Sequence, residues 1–160
     1  MTINVNFRRA VVLFLTLNFI TGCLQYSKVD ENLSPQQVLE RNFQQSMHGV
    51  VLKGFFTTSE ESSLTKEQYT IKKISKLAGN YWTFHTRIQY GDLDVTLPVP
   101  VQIKWAGDTP VLILTDTTIP GLGTFTARVL FYNEHYVGIW QHGNYVGQHF
   151  GKISSMQNSS

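Results

Sequence analysis

The segment Val95–Trp105, VTLPVPVQIKW, alternates without a break. Val95, Leu97, Val99, Val101, Ile103 and Trp105 form one series, and Thr96, Pro98, Pro100, Gln102 and Lys104 form the other. A period of two puts the series on opposite faces of an extended chain. A helix cannot gather that pattern onto one side, so the chain must build a sheet with one apolar face. Tyr81–Tyr90 repeats the pattern, with Trp82, Phe84, Thr86, Ile88 and Tyr90 on one face and Tyr81, Thr83, His85, Arg87 and Gln89 on the other. Between them, Gly91–Asp94 reads as a four-residue turn that pairs Tyr90 with Val95 and brings the apolar faces to the same side. Pro98 and Pro100 have no N–H to donate, which suits an edge strand, a bulge or a place where pairing lapses.

The alternation continues towards the C-terminus. Val111–Ile119, VLILTDTTI, begins apolar on both faces, as for a strand covered from two sides, with a helix as the natural cover. Asp116 is the only acid inside an apolar strand, and it reads as a strand-end cap. Pro120–Gly123 is a break; it lacks the third glycine and the following helix of a phosphate loop. Phe125, Ala127, Val129 and Phe131 then share a face. Two-residue turns at Asn133-Glu134 and Gly143-Asn144 fix the last register. It predicts Phe131 opposite Tyr136, Val129 opposite Gly138 and Ala127 opposite Trp140. It also sets Trp140 opposite Gly147, Gly138 opposite His149, and Tyr136 opposite Gly151. Large rings facing glycines are a device for curling a sheet sharply.

Upstream, Ser34–Gly49 reads as a helix. Ser34 is the N-cap, Pro35 takes the first helical position, and Gln37 completes a capping box. Leu39, Phe43 and Met47, with Val38 beside them, form an apolar stripe for packing on the sheet. Val50–Thr58 and Lys66–Leu77 read as the first two strands, and Gly79-Asn80 as a turn. Lys72, Lys73 and Lys76 read as a solvated edge. One helix followed by about eight short-linked strands gives a mainly β, antiparallel meander. With one apolar face and glycine-assisted curvature, it should close into a barrel or curled half-barrel, the helix plugging one end or covering the seam. This architecture is similar to lipocalin-like barrels, and Tyr81–Ile153 looks like a group of uncharacterised bacterial envelope proteins. Lipocalins carry Gly-x-Trp near the first strand, whereas Gly138-Ile139-Trp140 lies in the penultimate one, so no binding residues carry over.

The N-terminus supplies a second resemblance. A cationic stretch ending in Arg8-Arg9, an apolar run from Ala10 to Ile20 and the sequence Ile20-Thr21-Gly22-Cys23 resemble the signal peptide and lipobox of bacterial lipoprotein precursors. The resemblance implies residues 1–22 as signal peptide and Cys23 as a lipidated N-terminus. More than one acyl chain makes such anchoring stable. Residues 23–33 then act as a tether, 34–154 as a single domain and 155–160 as a disordered tail. Leu24 after the cysteine implies the outer membrane, with the domain facing the periplasm.

Other functions are disfavoured by composition. Setting aside Arg8 and Arg9 reduces the thirteen basic residues to eleven, equal to the eleven acidic ones. A neutral chain without a basic patch does not point to nucleic acid. Cys23 is the single cysteine, so no internal disulfide forms. His142 and His149 share a face but stand about 13 Å apart along the strands, too far for one zinc; His85 projects to the polar face. The expectation is therefore no metal, no cofactor and no enzyme. Asp92, Asp94, Asp108 and Glu134 fall in turns, where acids are ordinary. Two readings remain. One is a structural or protein-interaction role in the envelope, through the outer face or the Pro98–Pro100 edge. The other is lipocalin-like binding of a small hydrophobic or amphipathic ligand by Trp82, Phe84, Trp105, Phe125, Phe131 and Trp140. The size of these rings favours a filled interior.

Overall fold

The computed structural model describes residues 33–60 and 63–156. The proposed signal peptide, Cys23 and most of the tether lie outside the described residues. Among the described residues one helix, α1 (Pro35–Ser46), precedes eight strands. These are β1 (Val50–Phe56), β2 (Thr65–Ala78), β3 (Tyr81–Tyr90), β4 (Leu93–Ala106), β5 (Thr109–Ile119), β6 (Gly123–Tyr132), β7 (His135–His142) and β8 (Tyr145–Ser155). Each strand pairs antiparallel with the next, and β8 returns to β1, so the meander closes into a lipocalin-like barrel.

The helix begins as its capping residues dictate. The Ser34 hydroxyl accepts from the Gln37 N–H at 3.3 Å, and the Gln37 side chain accepts from the Ser34 N–H at 2.8 Å. Phe43 and Met47 are buried, whereas Val38 lies on the exposed side. The helix plugs one end of the barrel. Phe43 enters it, with ring centroids 5.9 Å from Trp82, 6.0 Å from Trp105 and 5.8 Å from Phe131. An ion pair between Glu40 and Lys76 ties α1 to β2, so Lys76 is not merely part of a solvated edge. Phe43→Ala is expected to cost about 3–5 kcal/mol, the range for deleting a buried aromatic ring. Urea unfolding monitored by far-UV circular dichroism checks this.

Because α1 plugs the end, it does not cover β5. Val111 and Ile113 are half-buried on the barrel wall. The β3–β4 turn is also tighter than expected. Tyr90 pairs with Leu93 across the two residues Gly91 and Asp92, and Ile88 takes Val95. Gly91 has φ +51°, a conformation that glycine adopts without side-chain strain. The shift is two residues, so the inward series is unchanged.

Register shifts at three places shape the wall, one of them between Lys76 and Ala78 near the end of β2. In β2 the register shifts between Ile71 and Lys73, so the inward positions step from Ile71 to Ile74. In β5 it shifts between Leu114 and Thr117. Asp116 is not a strand-end cap: it sits in this bulge at φ +47°, its N–H donating to Thr126 Oγ1, which donates back to its carboxylate. The β4–β5 ladder runs only from Ala106–Thr109 to Gln102–Ile113. Pro98 and Pro100 lie in the part of β4 beyond it. At the C-terminus, β8 runs through Ser155, which pairs with Val50, so the sheet extends one residue into the segment expected to be a tail.

Candidate functional site

The last three strands adopt the register expected from the sequence: Ala127–Trp140, Val129–Gly138 and Phe131–Tyr136, then Trp140–Gly147, Gly138–His149 and Tyr136–Gly151. The barrel's closure extends one of these rows. Tyr136 on β7 faces Gly151 on β8, Gly151 faces Gly54 on β1, and Gly54 faces Glu67 on β2. The tyrosine ring lies over the two glycines, and its hydroxyl donates to Glu67 Oε1 at 2.8 Å. A methyl group at Gly54 would stand 2.4 Å from that hydroxyl, and one at Gly151 2.6 Å from Tyr136 Cε1. The glycines therefore permit curvature and also clear a path for one side chain to reach across two strands.

Glu67 is the hub of a buried polar cluster, and sequence reading missed it. Tyr69 Oη donates to Glu67 Oε2 at 2.7 Å, and His149 Nδ1 stands 3.2 Å from Oε1. Glu67 and His149 are 6 % and 8 % exposed, so both belong to the interior. Gly138 makes room for the imidazole, since a methyl group there would meet His149 Nε2 at 2.9 Å. The missing signal was available in β2. Tyr69 and Ile71 point inward, and continuing that alternation back by two residues reaches Glu67.

Burial, followed by the charge of Glu67 and its hydrogen bonds, pushes the Tyr69 and Tyr136 hydroxyls well above the ordinary tyrosine range. In the unfolded chain both titrate near pH 10. Above that pH the unfolded state holds fewer protons than the folded one, so stability falls as pH rises. This contribution is fully present below pH 10 and is lost on the way to the higher folded values. The urea midpoint should fall between about pH 10 and 11.5, and less steeply in Tyr136→Phe; equal slopes would contradict the assignment.

Beside this cluster the barrel holds a half-open cavity of about 420 Å³, within the range of small-molecule sites. The interior is not filled, despite its large rings. Space remains where inward positions carry small side chains, notably Thr86 and Ala127. Of the six expected ligand-binding residues, Phe84, Phe125, Phe131 and Trp140 line the cavity. Trp82 and Trp105 instead pack on Phe43 at the plugged end. Glu67, Tyr69, Tyr136 and His149 all line the cavity, so these four polar residues join the candidate site.

His142 also lines the cavity, stacked on Phe125 at 4.4 Å between centroids. Among the described residues no group of three or more His, Cys, Asp or Glu side chains is placed to hold a metal ion. The Glu67–His149 pair has the form of a carboxylate orienting an imidazole, as a general base requires. Among the described residues no hydroxyl is hydrogen-bonded to His149 Nε2. Comparisons with protein-family models, with curated proteins and with solved structures found no match.

Proposed function

We propose that this protein is a lipid-anchored, periplasm-facing barrel of the bacterial cell envelope that binds a small apolar or amphipathic molecule in its interior. The observation that carries the binding reading is the cavity of about 420 Å³, walled by aromatic and aliphatic side chains with one polar corner at Glu67 and His149. Such a combination fits a ligand with an apolar body and a polar end. The anchor rests on the Ile20-Thr21-Gly22-Cys23 resemblance. Labelling cells with an alkyne fatty acid tests it: wild type should label, and Cys23→Ser should not.

Titration of purified full-length protein with the neutral probe N-phenyl-1-naphthylamine tests binding. Fluorescence should rise to saturation at one probe per chain. Ala127→Phe, which adds a ring to the cavity wall, should abolish the rise while the far-UV spectrum is kept. Non-saturating fluorescence, or a response indifferent to Ala127→Phe, would refute interior binding.

A second reading, an interaction role, is favoured by the outer face. Val137, Phe150 and Phe55 are exposed and aligned across β7, β8 and β1, with Ile139 nearby and Phe55–Phe150 centroids 6.4 Å apart. Exposed apolar rows of this kind mark contact surfaces. Photo-crosslinking from Ile139 in cells should give a discrete adduct if this face has a partner.

A further inference from the structure

Two buried nitrogens in the cavity wall have no hydrogen-bond partner among the described residues: Trp140 Nε1 and His149 Nε2. A buried polar group left unmatched costs about 1–3 kcal/mol, and native proteins carry few of them. These two belong to neighbouring positions. Trp140 faces Gly147 and His149 faces Gly138, which makes them diagonal neighbours on the inner face of β7 and β8. Diagonal positions stand about 7–8 Å apart, within reach of long side chains.

The chemistry of the wall narrows what could satisfy them. Among the described lining residues Glu67 is the only carboxylate, and there is no lysine or arginine. An anionic ligand would bring a second negative charge into an apolar chamber where His149 is already beside Glu67 and His142 is stacked on Phe125. A cationic ligand would meet Trp140 Nε1, which can only donate. Glu67 already receives Tyr69 Oη and Tyr136 Oη. An uncharged polar end avoids both conflicts. Trp140 Nε1 needs an acceptor. With Nδ1 directed at Glu67, His149 Nε2 accepts when the ring is neutral and donates when it is charged. A hydroxyl satisfies the pair in either state, because it can accept from the indole and either donate to or accept from the imidazole.

We infer that the cavity takes an uncharged, hydroxyl-bearing amphipath, with its hydroxyl at Trp140 Nε1 and His149 Nε2 and its apolar body along Phe84, Phe125 and Phe131. This inference rests on the interior-binding reading and adds the class of ligand. Three probes of equal chain length separate the two: 1-decanol, decane and decanoate, each titrated calorimetrically into purified full-length protein at pH 8. Decanol should bind at least about tenfold more tightly than either other probe, the worth of one to two hydrogen bonds. Trp140→Phe keeps a ring beside Phe56 and removes the donor. It should weaken decanol about tenfold and leave decane unchanged. Decane binding as tightly as decanol, or Trp140→Phe affecting both equally, would overturn the hydroxyl assignment and leave interior binding standing. Tighter binding of decanoate would overturn the uncharged class. Failure of all three probes would overturn interior binding and this assignment together.

Discussion

Glu67→Ala is expected to destabilise the folded protein by about 3–6 kcal/mol, since a buried carboxylate accepting two tyrosine hydroxyls is lost and a hydrogen bond to a charged group contributes about 1.5–3 kcal/mol. The substitution leaves Tyr69 Oη, Tyr136 Oη and His149 Nδ1 without their acceptor at once. The tyrosine on β7 would lose its hydrogen bond across β8 and β1 to β2, so the loss falls where the barrel closes. Glu67→Gln keeps an oxygen in place and should cost less, about 1–3 kcal/mol. The gap between the two variants, measured as urea unfolding free energies at pH 7, reports how far the carboxylate organises this wall. A Glu67→Ala cost below about 1 kcal/mol would mean that the three donors find other partners.

Gly54→Ala is expected to be at least as damaging. Its new methyl group would stand 2.0 Å from the Phe150 carbonyl oxygen, 2.4 Å from Tyr136 Oη and 2.8 Å from Gly151 Cα. Two of these three neighbours are backbone on the facing strand, so no rotamer change relieves them. Overpacking typically costs about 1–3 kcal/mol and more where the surroundings cannot yield. The closing β1–β8 seam places this site at or above the upper figure. Gly147→Ala should behave alike, with a contact of 1.8 Å to the Thr57 carbonyl oxygen. Gly143→Asn provides the contrast. Gly143 sits at φ +59° in an open turn where an added side chain meets nothing within 4 Å, so the cost there is backbone strain without a collision. Its cost should stay at about 1–2 kcal/mol, the left-handed penalty of a residue that carries a side chain. Similar losses for Gly54→Ala and Gly143→Asn, by the same unfolding assay, would contradict the close approach at Gly54.

Much of the architecture was legible because period-two patterning and two-residue turns act locally. Val95–Trp105 shows its inward face in the sequence itself, and Asn133-Glu134 and Gly143-Asn144 leave little freedom in pairing β6, β7 and β8. Ser34, Pro35 and Gln37 likewise define the helix start. What was hidden depends on contacts between distant segments. Glu67 and His149 lie 82 positions apart, and only the β1–β8 closure brings them together. The bulge at Lys72 breaks the alternation of β2 after Ile71, so the inward run of Glu67, Tyr69 and Ile71 is too short to stand out. Trp82 and Trp105 were read as cavity lining because their faces were right. Their height along the barrel, set by Phe43 of the helix, was not readable from period alone. Asp116 misled for a related reason: a bulge in mid-strand and a cap at a strand end both favour a short polar side chain.

The unfinished ladder between β4 and β5 has a consequence for solubility. Past Gln102–Ile113, β4 offers a free flank of the kind that recruits a strand from another molecule and seeds fibres. Pro98 and Pro100 are two residues apart and β3 stays paired along the whole stretch, so their missing donors fall on that open flank. A visiting strand would find its hydrogen-bond acceptors unanswered at two successive steps. The prolines thus act as gatekeepers against polymerisation, guarding a length of wall that the meander leaves unstitched.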